Sequence, residues 1–350
     1  MADIKKAKEQ QKLNQIKRYP IKINALLLIL ILSGCTPSNI ANFLEIPYAS
    51  RKAKPANLAF YSINNSGTTI DCQGKAFNEG KRTEVRITST AEQKTKDITI
   101  KNCKIRGSIR IIGLGRNSES SNVRKSSQLP NHTHNAQRHA PTNISLENLE
   151  IEAVGPIPLY IGPGSTKVNI SNSKFTGQAN STVIYLDSES ALNTIQNNNI
   201  DVKTRYRHRE AIAIDGSAYN LISDNTFKKL RHGGIYIYRN CGESGTIRHQ
   251  KPQFNIITRN EFRNSFISPF DFAIWVGSRE GRRLYCHEDD GQPMGSSASN
   301  LDHAFNNYIA NNKFESTRNS IKYSNYSRTK QLTIKPLTPL EVTLEIQQQF

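Results

Sequence analysis

Tryptophan, methionine, acidic residues and long apolar runs are scarce in this chain. Its 350 residues include one Trp and two Met, and its longest apolar run is shorter than a comfortable membrane-spanning helix. Together with a mean hydropathy of −0.58, this excludes a multi-span membrane protein. Asp and Glu number 29 against 47 Lys and Arg, a net charge of +18. An anionic partner is therefore expected, whether an acidic polysaccharide, nucleic acid or a lipid surface. The five Cys form no CxxC and no Cys/His cluster at zinc spacing, which argues against a zinc site. Asn-Gly hairpin turns are scarce as well. Apolar residues still make up 36% of the chain, enough to exclude a wholly disordered one.

The chain begins with a targeting pattern. Residues 1–22 carry seven Lys/Arg against Asp3 and Glu9, Ala25 to Leu32 are apolar, and Leu32-Ser-Gly-Cys35 follows. This order of basic, apolar and small residues reads as an export signal. Its end resembles the bacterial lipobox, which implies cleavage before Cys35, lipid on its thiol and attachment to a bacterial membrane. Residues 1–34 are thus expected to be a signal peptide, and 35–58 a linker and N-terminal cap. Removing the signal leaves a net charge of +13, so the basic character does not depend on it.

Repeats dominate the remainder. An apolar residue, an Asn two or three positions on, and another apolar residue at the fifth recur at Ile100–Ile105, Leu146–Ile151, Ile170–Phe175, Ile195–Ile200, Ile222–Phe227, Ile257–Phe262 and Ile309–Phe314. The anchors are 46, 24, 25, 27, 35 and 52 residues apart, a unit near 24 residues with insertions. Each copy is followed by a period-2 segment, such as Val183-Ile-Tyr-Leu186, Ala211-Ile-Ala-Ile214 or Gly234-Ile-Tyr-Ile237. Two short strands per period, joined by Asn and Gly, predict an all-β solenoid whose coils stack through parallel ladders. Asn at the turn tolerates left-handed backbone and can stack as an amide ladder. From these repeats and the opening Thr69-Ile-Asp-Cys-Gln-Gly74, residues 59–329 resemble the right-handed, single-stranded parallel β-helix superfamily (pectin-lyase-like). That superfamily includes pectin lyases, polygalacturonases and non-catalytic adhesins, so the resemblance implies a fold and a class of polysaccharide ligand, not one reaction. Residues 330–350 are expected to cap the last coil.

Stacking the period-2 segments maps a surface. One outward column reads Arg110, Tyr160, Tyr185, Ala213, Tyr236, Trp275, Lys322. Such a solvent-facing column of aromatics, with Tyr160, Tyr185 and Trp275 as substrate-binding candidates, suits stacking of sugar rings. Two positions on, Asp187 and Asp215 become neighbours on consecutive coils, followed by Tyr238. Adjacent carboxylates repel, so a raised pKa or a bound Ca²⁺ is the physical expectation; the pair would suit a hydrolase acid and base. A third column places His232 between Arg209 and Asp271, with Arg231 and Arg239 nearby. A carboxylate beside His232 would fix its tautomer for general-base work.

Insertions at 114–141, 239–252 and 278–303 leave the same edge and are expected to wall a cleft. The first is polar enough to be expected mobile. The third holds Arg279, a candidate anion contact. Four Cys outside the lipobox allow three pairings; positions equivalent on adjacent coils select Cys72 with Cys103 and Cys241 with Cys286. The expected function is an exported carbohydrate-active enzyme that cleaves an acidic polysaccharide by β-elimination. His232 would be its base, Arg209, Arg231 and Arg239 would neutralise the uronate, and Tyr236 or Tyr238 would be the proton donor. The alternatives are a hydrolase using Asp187 and Asp215, or a glycan-binding solenoid. Nucleic acid is not the expected partner, since the basic residues are spread over coils and loops rather than gathered on a helix.

Overall fold

The computed structural model describes residues 58–89, 93–113, 121–205, 209–242, 246–263, 271–278, 302–315 and 320–324. All belong to one compact unit, Ala56–Phe350. Cys35, Arg279, Cys286 and the expected signal, linker and C-terminal cap lie outside the described residues, apart from residue 58.

The chain is mostly β, and its strands form stacked parallel sheets. One sheet has eight strands, beginning with Thr69–Asp71, Lys96–Lys101 and Thr142–Glu147 and ending at Tyr308–Ala310. The other has fifteen strands and folds over two faces at Lys104–Ile112. The first half of that strand pairs with Glu150–Gly155, and the second half pairs with Leu159–Ile161. From there on, each strand pairs in parallel with the strand of the same face in the next turn of the chain: Leu159–Ile161 with Ile184–Leu186, then Ile212–Asp215, Ile235–Tyr238, Ile274–Gly277 and Ile321–Ser324. This arrangement is compatible with a β-solenoid.

Each turn holds three strands rather than the two expected. The repeated Asn motif is a bend between two strands, not one strand. In Ile170–Phe175, Ile170 closes the strand Thr166–Ser171 and Phe175 lies in the strand Lys174–Ala179. Between them Asn172 adopts left-handed backbone, φ 52°. The same position is left-handed in all seven copies, at Asn102, Asn148, Asn172, Asn197, Asp224, Arg259 and Asn311. Asn and Asp tolerate this region best among residues with a side chain, which accounts for the bias at this position.

The buried amide ladder is built by the following residue. The backbone N–H of Ser173 donates to Asn198 Oδ1 at 2.9 Å, that of Asn198 to Asn225 at 3.0 Å, and that of Asn225 to Asn260 at 3.1 Å. A second ladder, Asn193–Asn220–Asn255–Asn307, holds another turn. These amides satisfy backbone groups that the bends take out of the sheets. Between the faces, Ile, Leu, Val and Phe form one continuous core. Phe227 and Phe262 stack there with ring centres 4.7 Å apart, and Phe262 and Phe314 at 5.3 Å. A Cys72–Cys103 disulfide ties the first two turns, as expected. Cys241 is also disulfide-bonded, while its expected partner Cys286 lies outside the described residues.

The first insertion is folded where it is described, contrary to expectation. It forms two helices, Ser121–Ser127 and His132–His139, with His132 and Ala136 buried. Its polar side chains find partners: Thr133 Oγ1 donates to Glu189, and His132 Nδ1 lies 3.0 Å from Ser126 Oγ. Gly164 allows this docking, since a Cβ there would stand 2.4 Å from the Ala136 carbonyl carbon.

Candidate functional site

The site lies on the face formed by the strands from Leu159–Ile161 to Ile321–Ser324. Strict period 2 sends Ile and Leu inward, and the intervening residues stack outward. The register aligns Arg110 with Tyr160, Tyr160 with Tyr185, Tyr185 with Ala213, Ala213 with Tyr236, Tyr236 with Trp275, and Trp275 with Lys322. The expected column is therefore present. It is not the solvent-facing platform anticipated from sequence, because Tyr160 is 5% exposed, Tyr236 is 7% exposed, and Tyr185 and Trp275 are half-buried. Its rings pack on one another and on Tyr238, with Tyr236 and Trp275 centred 5.4 Å apart and Tyr238 and Trp275 5.9 Å apart.

Below the tyrosines lies a buried ionic network. Asp187 and Asp215 are level with each other on adjacent strands, as their neighbours Leu186 and Ile214 pair. The cation between them is a guanidinium. Arg248, from the second insertion, places Nη2 3.1 Å from Asp187 and Nη1 2.6 Å from Asp215. Tyr160 donates to Asp187 at 2.5 Å, Tyr185 donates to Asp215, and the Asn240 backbone N–H donates to Asp215 at 2.6 Å. Burial pushes the Asp187 carboxyl up despite Arg248. Burial opposes ionisation of Asp215 as well, but Arg248 and hydrogen bonds from Tyr185 and Asn240 outweigh it and hold that carboxyl below its usual range. Among the described residues, no group of three or more His, Cys, Asp or Glu is placed to hold a metal ion.

Two further candidates are structural in their surroundings. Arg239 is fully buried and pairs with Asp302, Nε to Oδ1 at 2.8 Å, so it is not open to a ligand as a uronate-neutralising cation would be. Burial raises the Asp302 carboxyl to about 6 even beside Arg239. Tyr238 is also fully buried and donates to Glu210 at 2.6 Å, which removes it from contact with a large substrate.

His232 and Asp271 do come together. His232 Nδ1 lies 3.2 Å from Asp271 Oδ2, with the histidine side chain 18% exposed and the aspartate 4%. Their strands pair Ile235 with Ile274, and the Ile212–Ile235 pairing sets Arg209 level with His232. Arg231 is exposed beside them, and Lys322 Nζ lies 4.9 Å from the Phe272 ring centre. The Tyr236 ring leans on Gly233: a Cβ there would stand 2.2 Å from its Cζ and 2.5 Å from its hydroxyl. That hydroxyl accepts the Phe272 backbone N–H at 3.2 Å. One end of the column thus gathers an imidazole held by a carboxylate, a phenol and two guanidiniums.

Arg248, Glu210 and Asp302 escaped the sequence reading, because the first and last lie in aperiodic insertions and Glu210 just precedes its strand. A signal for Arg248 existed in the unbalanced Asp187/Asp215 pair. A separate shallow cavity of about 350 Å³ lies over the strands at Lys104, Glu150 and Lys174. Its charges pair across the strands, Lys104 with Glu150 at 3.5 Å and Arg106 with Glu152 at 3.4 Å.

No protein-family model matches this chain, and neither do curated proteins or solved structures.

Proposed function

We propose that the protein is an exported, lipid-anchored right-handed parallel β-helix that cleaves an acidic polysaccharide by β-elimination. The observation that carries this reading is the His232–Asp271 pair, 3.2 Å apart, with the partly exposed imidazole held by a buried carboxylate beside Arg209 and Arg231. Arg209 and Arg231 would neutralise a uronate carboxylate and acidify the proton on the adjacent carbon. His232 removes that proton, with Asp271 holding its tautomer. The electron pair forms a carbon–carbon double bond as the glycosidic oxygen departs, and Tyr236 protonates that oxygen. Tyr236 is the better donor of the two tyrosines, since Tyr238 is engaged by Glu210. For the anchored location, the Cys72–Cys103 disulfide suits an oxidising compartment, and no described helix is long and apolar enough to cross a membrane.

A hydrolase built on Asp187 and Asp215 is the weaker reading. Both are buried and bonded to Arg248, Tyr160 and Tyr185, so neither carboxylate is open to a glycosidic oxygen or a water. The test is incubation with a panel of acidic polysaccharides, following near-ultraviolet absorbance of unsaturated uronyl ends together with reducing ends. Elimination raises both, and hydrolysis raises reducing ends alone. Binding without either signal means a glycan-binding solenoid.

A further inference from the structure

Outward residues in register on neighbouring strands of a parallel sheet stand about 4.8 Å apart, so like charges placed there repel. The strands Asn199–Thr204, Thr226–Lys228 and Glu261–Arg263 lie side by side, and the second ends four residues before His232. Ile200, Val202, Phe227 and Phe262 are buried, which leaves Lys203, Lys228 and Arg263 on the outer side. Just past these strands Arg205, Lys229 and Arg231 are exposed as well. Backbone bonds fix their places: the Arg205 N–H donates to the Ala179 carbonyl at 2.8 Å, and the Lys229 N–H to the Arg263 carbonyl at 3.2 Å.

The charges on this ledge are not balanced. Asp201 pairs with Lys229 at 3.4 Å, and Glu261 pairs with Arg263 at 2.5 Å. Lys203, Arg205, Lys228 and Arg231 make no ion pair among the described residues. The register sets Lys228 directly opposite Arg263, cation against cation. At the other end of the same sheet the residues in register have opposite signs, Lys104 with Glu150 and Arg106 with Glu152. Cations held together without acids are unfavourable in the free protein and attract a ligand that carries negative charge at intervals. Arg231 joins this surface to the site, since it adjoins His232 in the chain.

We infer that the ledge is an extended binding surface for the anionic glycan, which crosses from His232 onto Lys203, Arg205 and Lys228 and sets its carboxylates against them. The inference rests on the carbohydrate reading above and adds a preference for long chains charged on successive units. A short fragment fills the site alone and does not reach the ledge.

The test is calorimetric titration of the full chain with a uronate trisaccharide and with a longer oligomer of the same sugar, in a His232→Ala background so that neither is consumed. The longer oligomer should bind at least about tenfold tighter, and added salt should shrink that preference. Lys203→Gln, Arg205→Gln and Lys228→Gln together should remove about tenfold from the longer oligomer and less from the trisaccharide, because each replaced pair is a modest surface one. None of the three is buried, so an unchanged melting midpoint should accompany the loss. A parent that binds both oligomers equally, or a combined variant that keeps the preference, overturns the ledge while the carbohydrate reading stands. If that variant instead loses adhesion to vesicles containing anionic phospholipid, the ledge belongs to a lipid surface and the glycan assignment is overturned. A parent that binds neither oligomer ends the carbohydrate reading and the ledge with it.

Discussion

The guanidinium of Arg248 meets the carboxylate of Asp215 at 2.6 Å, and the same group reaches Asp187 at 3.1 Å. One residue of an insertion thereby neutralises two strand residues that the fold forces side by side. Arg248→Met should leave two buried carboxylates facing each other and cost about 3–5 kcal/mol of stability. The loss should shrink in acid, because without Arg248 both carboxyls titrate higher in the folded chain than in the unfolded one. Such groups favour folding at low pH and oppose it as pH rises. Denaturant titrations at acidic and neutral pH measure both effects.

Asp302 makes a second pH dependence. Its carboxyl rises from 3.8 to about 6 in the folded chain, so its contribution is fully present below the unfolded value and is lost as pH rises through about 6. Asp302→Asn should flatten the stability profile across that window, a difference on the order of 2–3 kcal/mol between its ends. Melting curves of both proteins across the window supply the comparison. An unaltered slope would mean that Asp302 titrates normally.

Asparagines of the bend and of the ladder should behave differently. Asn225 is buried, donates to the Ile195 carbonyl at 2.8 Å and accepts from the Asn198 backbone N–H at 3.0 Å. Asn225→Ala strands those groups and should cost about 2–4 kcal/mol. Asn197, at φ 57°, loses only its left-handed tolerance on replacement, and Asn197→Ala should cost about 1 kcal/mol. Equal losses in denaturant unfolding would contradict the division of labour between bend and ladder.

Why the sequence disclosed part of this is visible in these same residues. Parallel strands with period 2 transmit register without slippage, so the alignment from Arg110 to Lys322 and the meeting of His232 with Asp271 were legible. The left-handed residue between two short strands leaves no mark in hydrophobic spacing, and three strands per turn read as two. The burial of Tyr160 and Tyr236 was illegible, since it comes from the bond of Tyr160 to Asp187 and from the packing of Tyr236 on Gly233 and Trp275, contacts that hydrophobic spacing does not announce. Asn193, Asn220, Asn255 and Asn307 lay outside the repeated motif, so their ladder went unseen.

The two tyrosines separate chemistry from packing. Tyr236→Phe should lower turnover by about 10²–10⁴-fold with little loss of stability. Tyr238→Phe removes the hydroxyl bound to Glu210, so it should lower stability first, by about 1–3 kcal/mol. Steady-state rates beside melting midpoints distinguish the two, and a reversed pattern would move the proton donor to Tyr238.

The most direct measurement is the rate at which the protein forms unsaturated uronyl ends from an acidic polysaccharide, compared with its His232→Ala variant. The account predicts formation by the parent and a loss of at least about 10²-fold in the variant, with the melting midpoint unchanged. A folded variant that retains the parent's rate, or reducing ends released without unsaturation, would contradict it.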